Sequence, residues 1–149
     1  MTRILVVEDE PSIQRLVRLL LEQEGYVTEG ATTGPEALER LAENSFNMVV
    51  LDLMLGPFSG WQVLREMERL SLRRRTKVLV LTARNSERDI LHGWRMGADD
   101  YVTKPFDPEH LMNAVNKTLR LAPEQLAARR ASELERSELL FQVQQVFAG

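Results

Sequence analysis

The amino-acid sequence predicts an α/β fold, a doubly wound five-stranded parallel sheet in the order 2-1-3-4-5 with five flanking helices and a C-terminal helical extension. Short apolar runs rich in β-branched residues recur along the chain, as expected of strands buried on both faces. Segments with helical spacing of apolar residues separate these runs, which is the pattern of βα units joined by right-handed crossovers. The length of 149 residues fits one domain of ordinary size.

Proline and glycine residues mark the bounds of the first two βα units. Residues 4–7 form the first apolar strand, and Pro11 then opens an amphipathic helix that Gly25 ends. The sequence predicts a brief second strand at residues 26–29. The Gly34-Pro35 pair begins the second helix, which carries its apolar residues on one face.

The remaining three units follow the same logic. Residues 48–51 and 78–81 are apolar strands, and between them Trp61, Leu64 and Met67 recur at helical spacing. A fourth helix extends from a Ser86 cap to Met96 before a terminating glycine. Residues 101–103 form the fifth strand, and an Asp-Pro pair at residues 107–108 starts the fifth helix.

Polar residues follow the strands at the edge where open parallel sheets bind ligands. Glu8 and Asp9 follow the first strand, Asp52 the third, Thr82 the fourth and Lys104 the fifth. Any one of them alone would be read as a helix cap, but their recurrence at equivalent topological positions favours a site.

The chemistry open to these groups is narrow. Three carboxylates would crowd negative charge unless a hard cation lay among them, and oxygen ligands of this kind suit Mg²⁺. Asp52 is then able to act as a carboxylate nucleophile toward a phosphoryl group. Lys104 and Thr82 supply a cation and a hydroxyl donor for the phosphoryl oxygens.

Residues 1 to about 121 resemble a response-regulator receiver domain of two-component signalling, similar to chemotaxis regulators and closest in motif to the receivers of winged-helix transcriptional regulators. The matching segments are ILVVEDE at residues 4–10, LDLM at 51–54, LTA at 81–83 and GADDYVTKPF at 97–106. The resemblance implies a phosphorylation-dependent signalling switch, not an enzyme acting on other molecules. It also implies that a histidine kinase or phosphotransfer protein donates the phosphoryl group to the acceptor, Asp52.

By the same resemblance, Glu8 and Asp9 form the acidic pocket for Mg²⁺, which Asp9 and Asp52 ligate directly. The backbone carbonyl of Met54 is the further protein ligand in this family, and Lys104 holds a phosphoryl oxygen.

The family also implies a switch. Thr82 moves to bond the new phosphoryl oxygens, Tyr101 turns inward, and Pro105 follows a cis peptide bond.

Two departures from the family pattern affect the site. The usual proline-glycine order after the acceptor is reversed here as Gly56-Pro57, so we expect an altered path for the loop over the site. Met54 and Arg84 occupy the variable positions that flank the phosphoryl group. An apolar side chain and a cation there would shield the acyl phosphate from water, which predicts slow self-hydrolysis.

A third departure affects the surface through which winged-helix regulators dimerise, formed by the fourth helix, fifth strand and fifth helix. Asp99 and Asp100 are present, but His110 and Ala114 stand where the fifth helix usually supplies glutamate and arginine. A homodimer on phosphorylation stays possible, with an incomplete set of ion pairs.

Residues 122–149 are expected to form a helical extension or linker beyond a receiver domain of residues 1–121. Leu140, Val143 and Phe147 follow a heptad-like spacing that points away from the apolar face formed earlier in the segment. Two interpretations remain open: a helix packed back on the receiver or frayed, and a signalling helix that pairs two chains or leads into an output domain.

Composition narrows the remaining classes. A net charge of −3 and the absence of a long apolar run favour a cytoplasmic protein that binds neither a membrane nor nucleic acid by itself, and no cysteine is present for thiol chemistry. The basic cluster of residues 73–77 is expected to be a solvated loop.

Two other functions were compared with the receiver. A phosphatase with an aspartyl nucleophile would need a second acidic residue, as general acid, at the position of Met54, so this class of enzyme is disfavoured. The alternative function is the receiver half of a DNA-binding transcriptional regulator.

Overall fold

A computed structural model describes residues 1–148 and contains one five-stranded, fully parallel sheet in the order β2-β1-β3-β4-β5. This confirms the predicted fold class. The central strands β1, β3 and β4 are nearly devoid of solvent contact, which explains why they read as continuous apolar runs in the sequence. The strands are β1 Arg3–Val7, β2 Val27–Ala31, β3 Met48–Leu51, β4 Lys77–Thr82 and β5 Asp100–Thr103.

Six α-helices and one 3₁₀ turn connect and extend the sheet. Proline occupies the first turn of four of them, α1, α2, α5 and α6. Side-chain oxygens of Thr33, Ser86 and Asp107 accept backbone N–H groups at the starts of α2, α4 and α5. The helices are α1 Pro11–Gln23, α2 Gly34–Glu43, α3 Gly60–Arg69, α4 Glu87–Arg95, α5 Pro108–Arg120 and α6 Pro123–Ala148, with the 3₁₀ turn at Leu72–Arg74.

The alternation of side chains along the strands divides the core into two layers. On one face α2 and α3 pack over alternate residues of the sheet such as Leu5, Val49 and Val80. On the other face α1 and α5 cover the intervening residues, among them Val6 and Val50. Both faces of the sheet are therefore buried, and the free carboxyl edge of the strands is left to carry polar groups.

The second strand begins later than the sequence predicts. The prediction placed it at residues 26–29, whereas β2 is Val27–Ala31. Gly25 has φ +92°, and the Tyr26 amide donates to the Leu21 carbonyl at 3.2 Å, so this pair closes the end of α1. Pairing with β1 starts at Val27, whose amide donates to the Thr2 carbonyl.

The C-terminal segment is helical, as expected, and α6 packs along α4 in the opposite direction. Near its start Arg130 pairs with Asp99 at 2.6 Å, and farther along Glu138 pairs with Arg95 at 3.4 Å. Leu126 and Ser137 are buried in this contact. Of the two interpretations of the tail, packing back on the receiver is the arrangement that the structure shows. Within residues 1–148, no helix is both long and apolar enough to cross a membrane.

Candidate functional site

Carboxylates from two neighbouring strands meet at the carboxyl edge of the sheet. Because β1 and β3 pair with Val7 opposite Leu51, the residues that follow them, Glu8 and Asp52, lie side by side. Both are almost fully buried, at 3% and 5% exposure, whereas Asp9 faces solvent. One carboxylate oxygen from each of the three residues lies within 4.8 Å of the others.

The Lys104 ammonium bridges the two buried carboxylates. Its Nζ donates to Asp52 Oδ2 at 3.0 Å and also to the Glu8 carboxylate. Burial disfavours the charged amine, but the bonds to Glu8 and Asp52 outweigh it and raise the Lys104 pKa. Burial raises the pKa of Glu8 to about 7, with Lys104 acting against that rise. The ammonium thus offsets much of the negative charge that the sheet edge concentrates.

The ends of β4 and β5 fix where this lysine lies. The Lys104 amide donates to the Thr82 carbonyl at 2.8 Å, and the Lys104-Pro105 peptide bond is cis. Thr82 is fully buried at the end of β4, and its hydroxyl accepts the Arg84 amide at 3.4 Å. The hydroxyl and the ammonium are therefore presented by adjacent strands at the same edge as the carboxylates.

Tyr101 belongs to β5, and its side chain reaches the loop that leads into α4. Its hydroxyl donates to the Arg84 carbonyl at 2.6 Å, and desolvation raises its pKa. The ring packs on Gly93 of α4, where an added Cβ would lie 2.7 Å from the ring carbons. Thr82 and Tyr101 therefore both contact Arg84, one through its amide and the other through its carbonyl.

The residues at this edge fit a hard divalent cation. Glu8, Asp9 and Asp52 offer oxygen donors close enough to share one ion, and carboxylate oxygen is the ligand type that Mg²⁺ uses. Asp52 is also oriented by the Met54 amide, which donates to its Oδ1 at 3.0 Å. The Met54 side chain is 53% exposed beside the site.

Two further residues support the site through contacts that the sequence analysis did not predict. Gln14 donates through Nε2 to the carbonyls of Glu8 and Ala31, each at 3.1 Å, and so fixes the loop that bears the acidic pair. Gly60 begins α3 where an added Cβ would overlap the Asp52 carbonyl and lie 2.7 Å from the Leu53 Cα. Spacing alone gave no signal for Gln14, but a glycine at the start of a helix over the acceptor is a readable hint of close backbone approach.

The basic cluster is not the solvated loop that the sequence predicts. The Arg73 side chain is only 13% exposed, and it donates to the Gly97 carbonyl and to Asp99, both at 2.8 Å. Lys77 donates to the carbonyls of Leu119 and Leu121 at the end of α5. Arg73 and Lys77 therefore bind the backbone where α4 and α5 end. Only Arg74 and Arg75, which are exposed, fit the prediction of a solvated loop.

The fold and the acidic edge define a class of protein. The sequence profile of the response regulator receiver domain matches residues 4–116, and the chain belongs to this family. Receiver domains are signalling switches of two-component systems that receive a phosphoryl group on themselves.

Among known proteins, the chain is 44% identical over 117 residues to the uncharacterized transcriptional regulatory protein YkoG of Bacillus subtilis, an alignment that covers 78% of this chain and 50% of that protein. It is 41% identical over 118 residues to the phosphate regulon transcriptional regulatory protein PhoB of Escherichia coli, covering 79% of this chain and 52% of PhoB. The chain thus spans about half the length of the curated relatives it matches.

A solved structure shows the same fold. The response regulator protein TrrA of Thermotoga maritima, in complex with Mg²⁺-BeF, superimposes with a TM-score of 0.70 at 36% identity. The match covers 79% of this chain and 99% of TrrA. The similarity therefore extends over the receiver portion of the chain.

Proposed function

We propose that Asp52 accepts a phosphoryl group from the phosphohistidine of a histidine kinase or phosphotransfer protein and that the chain signals through the resulting change of shape. The observation that carries this proposal is the buried Asp52 carboxylate with the Lys104 ammonium 3.0 Å away. A carboxylate is ionised at neutral pH, so it needs no general base to act as a nucleophile. The family supplies the class of donor, and the site supplies the acceptor.

The transfer balances as a displacement at phosphorus. One Asp52 oxygen forms the new P–O bond while the P–N bond to the donor imidazole breaks, and the imidazole nitrogen keeps that electron pair and takes a proton from solvent. Lys104 holds a phosphoryl oxygen, and the Thr82 hydroxyl donates to another. Glu8, Asp9, Asp52 and the Met54 carbonyl would hold a Mg²⁺ ion, which would neutralise the negative charge gathered at this edge.

The switch that follows involves Thr82 and Tyr101. Both side chains contact the Arg84 backbone, so a Thr82 hydroxyl drawn toward a new phosphoryl oxygen frees the Arg84 amide that it accepts. Tyr101 then turns inward and gives up its bond to the Arg84 carbonyl. A local change of charge is thereby passed to the β4–α4 loop and to α4.

Self-hydrolysis of the phosphoryl group is expected to be slow. Met54 stands beside the acceptor with an apolar, half-exposed side chain, and Arg84 follows Thr82 by two residues. We expect the Met54 side chain to limit the approach of water to the acyl phosphate, and the Arg84 guanidinium to do so once it leaves its ion pair with Asp89, 2.9 Å away. Intact mass followed over time after donor removal measures the half-life, which we expect to exceed minutes and to shorten in Met54→Ala. A half-life of seconds for the unaltered chain would refute this expectation.

The output of the switch depends on partners outside the described residues. We propose a cytoplasmic role in which the phosphorylated receiver acts through protein–protein contact or through a further domain. The transcriptional regulators among its relatives and the half-length coverage support an alternative, in which this chain is the receiver half of a DNA-binding regulator. The phosphorylation itself can be tested on this chain without fusing it to a further domain.

The decisive experiment is intact mass spectrometry of the chain with Mg²⁺ and a small-molecule phosphodonor. We expect a gain of about 80 Da, one phosphoryl group, that is lost in Asp52→Asn. Asp107→Asn is the matched control, since asparagine replaces aspartate equally well as the cap of α5 and lies outside the site. A mass gain that survives in Asp52→Asn, or no gain in the unaltered chain, would refute Asp52 as the acceptor.

A further inference from the structure

A second concave site lies at the amino edge of the sheet, where β4 and β5 begin. It is a cavity of about 680 Å³ bounded by the end of α3, the 3₁₀ turn, the end of α4 and the start of α6. Cavities of this size hold small molecules in many proteins. Because the strands are parallel, this cavity and the acidic edge that carries Asp52 lie at opposite ends of the sheet.

Positive charge dominates the lining of this cavity. Six arginines and Lys77 line it, against two carboxylates, Glu68 and Asp99. The chain as a whole carries a net charge of −3, so the cavity has the opposite sign to the molecule around it. One of the arginines, Arg95, is paired with Glu138 at 3.4 Å. The others leave a surplus of positive charge on a concave surface, which concentrates anions.

Two half-buried arginines in the wall of the cavity keep part of their donor capacity free. Arg73 and Arg130 share the single carboxylate of Asp99, at 2.8 Å and 2.6 Å, through Nη2 in each case. A guanidinium carries five N–H donors, and Nη1 of both arginines makes no hydrogen bond within the part of the chain that the structure describes. Gly97, beside Arg73 Nη1, has no side chain that could cover it. The wall therefore offers cationic donors to a ligand.

Three further arginines of the lining are exposed and lie at its mouth. Arg65, Arg74 and Arg75 form no ion pair within residues 1–148. Glu68 is the exposed carboxylate beside them, and it pairs with none of the three. A solvated loop accounts for exposed cations on a convex surface. It does not account for three that line one cavity together with the two arginines of the wall.

The inner surface of the cavity is partly apolar. The buried side chains of Leu64 and Leu126 line it together with Met96 and Pro123. A bare inorganic anion would use the arginines alone, whereas a ligand with a planar ring would also cover this apolar surface. Guanidinium groups bind phosphate oxygens in pairs and stack on planar rings. The lining therefore fits a molecule that joins several phosphates to a planar ring.

The shape of the site favours a small molecule over nucleic acid. A duplex is a rod whose phosphates lie on its outer surface. Such a rod can reach the exposed arginines at the mouth, but it cannot enter a cavity bounded by three helices and a turn to reach Arg73 and Arg130. A small phosphorylated ligand reaches both sets of arginines.

We propose that this cavity binds a nucleoside diphosphate or triphosphate. The phosphates lie against Arg65, Arg74 and Arg75, and the base lies against the apolar surface that includes Leu64. The chemistry that the site recognises is the chain of phosphates, which inorganic polyphosphate shares. Binding there involves no covalent step, and it does not depend on the phosphorylation of Asp52.

Isothermal titration calorimetry of the full chain with GTP, ATP and inorganic tripolyphosphate tests the proposal. Mg²⁺ is left out, so that a metal–nucleotide complex cannot bind at the acidic edge. We expect saturable binding of one nucleotide per chain. The Kd is expected to rise at least about tenfold in Arg65→Gln and in the double variant Arg74→Gln, Arg75→Gln, because each loses charged donors to the phosphates.

The matched control is the double variant Arg15→Gln, Arg88→Gln, which removes two positive charges from exposed arginines of α1 and α4 outside the cavity. Distant charges are screened at physiological ionic strength, so we expect its Kd to be unchanged. Asp52→Asn is also expected to keep the Kd, which separates this site from the phosphorylation site. Far-UV circular dichroism checks that each variant is folded.

The relative affinities identify the source of the phosphates. A nucleotide that binds about tenfold or more tightly than tripolyphosphate supports a nucleotide as the ligand, and equal affinities support the same site with inorganic polyphosphate as its ligand. The inference would be overturned if none of the three probes bound, if neither cavity variant changed the Kd, or if the Arg15→Gln, Arg88→Gln control weakened binding equally. Binding of citrate or of a short DNA duplex as tight as that of GTP would also overturn it. Unfolding of one cavity variant leaves the other to decide the test.

Discussion

Replacing Asp99 is expected to destabilise the fold severely, because three separate parts of the chain bond to one buried carboxylate. Oδ2 accepts the Val78 amide and the Arg73 guanidinium, each at 2.8 Å, and Oδ1 accepts the Arg130 guanidinium at 2.6 Å. The Asp99 side chain is 3% exposed, and Arg73 beside it is 13% exposed. This carboxylate therefore ties β4, the turn that precedes it and α6 to the start of β5.

The magnitude follows from what Asp99→Ala leaves behind. Removing one member of a buried ion pair costs about 3–5 kcal/mol, since the remaining charge stays desolvated without a partner. The unpaired Val78 amide belongs to the same network and adds part of a further 1–3 kcal/mol. Arg130 can turn to solvent and contributes little. We expect the free energy of unfolding to fall by about 4 kcal/mol, a large part of the 5–15 kcal/mol typical of a domain.

Urea unfolding followed by circular dichroism measures this loss as a lower midpoint at an unchanged m-value. Asp99→Asn keeps an acceptor in place and is expected to lose less than Asp99→Ala. Arg136→Ala is the control, because Arg136 is on α6 but largely exposed and 3.9 Å from its partner Glu133. A loss below about 1 kcal/mol for Asp99→Ala would show that the network does not contribute as its geometry implies.

Three further perturbations have expected outcomes. Gly60→Ala forces a Cβ against the backbone at Asp52 and is expected to lower both the unfolding midpoint and the yield of phosphorylated protein; equal values in variant and parent would contradict it. The His92 ring packs edge-on to Trp61, and its burial together with the nearby charge of Arg95 lowers the His92 pKa below 6.5. The stability that the neutral His92 contributes is therefore fully present above pH 6.5 and declines as the pH falls further. An NMR titration of His92 with a midpoint at or above 6.5 would count against this prediction. Ser86→Ala removes the oxygen that caps α4 at 3.0 Å and should cost about 1 kcal/mol in urea unfolding, where no change would argue against the cap.

Much of the fold was predictable because local signals and global topology agree in this chain. Apolar β-branched runs, proline at helix starts and glycine at helix ends each pointed to the same element boundaries. The polar residues that follow the strands converge because the topology of a parallel sheet brings its carboxyl ends to one edge. The proximity of Glu8, Asp52 and Lys104 therefore followed from their order along the chain.

What sequence reasoning missed depends on long-range contacts. Arg73 reads as one of a run of basic residues, and only the folded chain shows that its partner Asp99 lies 26 residues away in sequence. Gln14 reads as a helix surface residue for the same reason. The roles of Thr82 and Tyr101 stay predictions, because they concern a phosphorylated state that the experiments above would create. The role of the Met54 carbonyl stays a prediction because it concerns a bound metal ion.

The strand β5 connects the contact with α6 at one end to the acidic edge of the sheet at the other. Asp100, which Arg129 of α6 binds, lies four residues before Lys104, a span of roughly 13 Å in extended backbone. Because the strand is short, we expect a displacement at one end to reach the other, which would link the contact between α6 and β5 to the chemical state of the acidic edge. Such a linkage would be reciprocal, so a partner that binds or releases α6 would also change how readily Asp52 is phosphorylated.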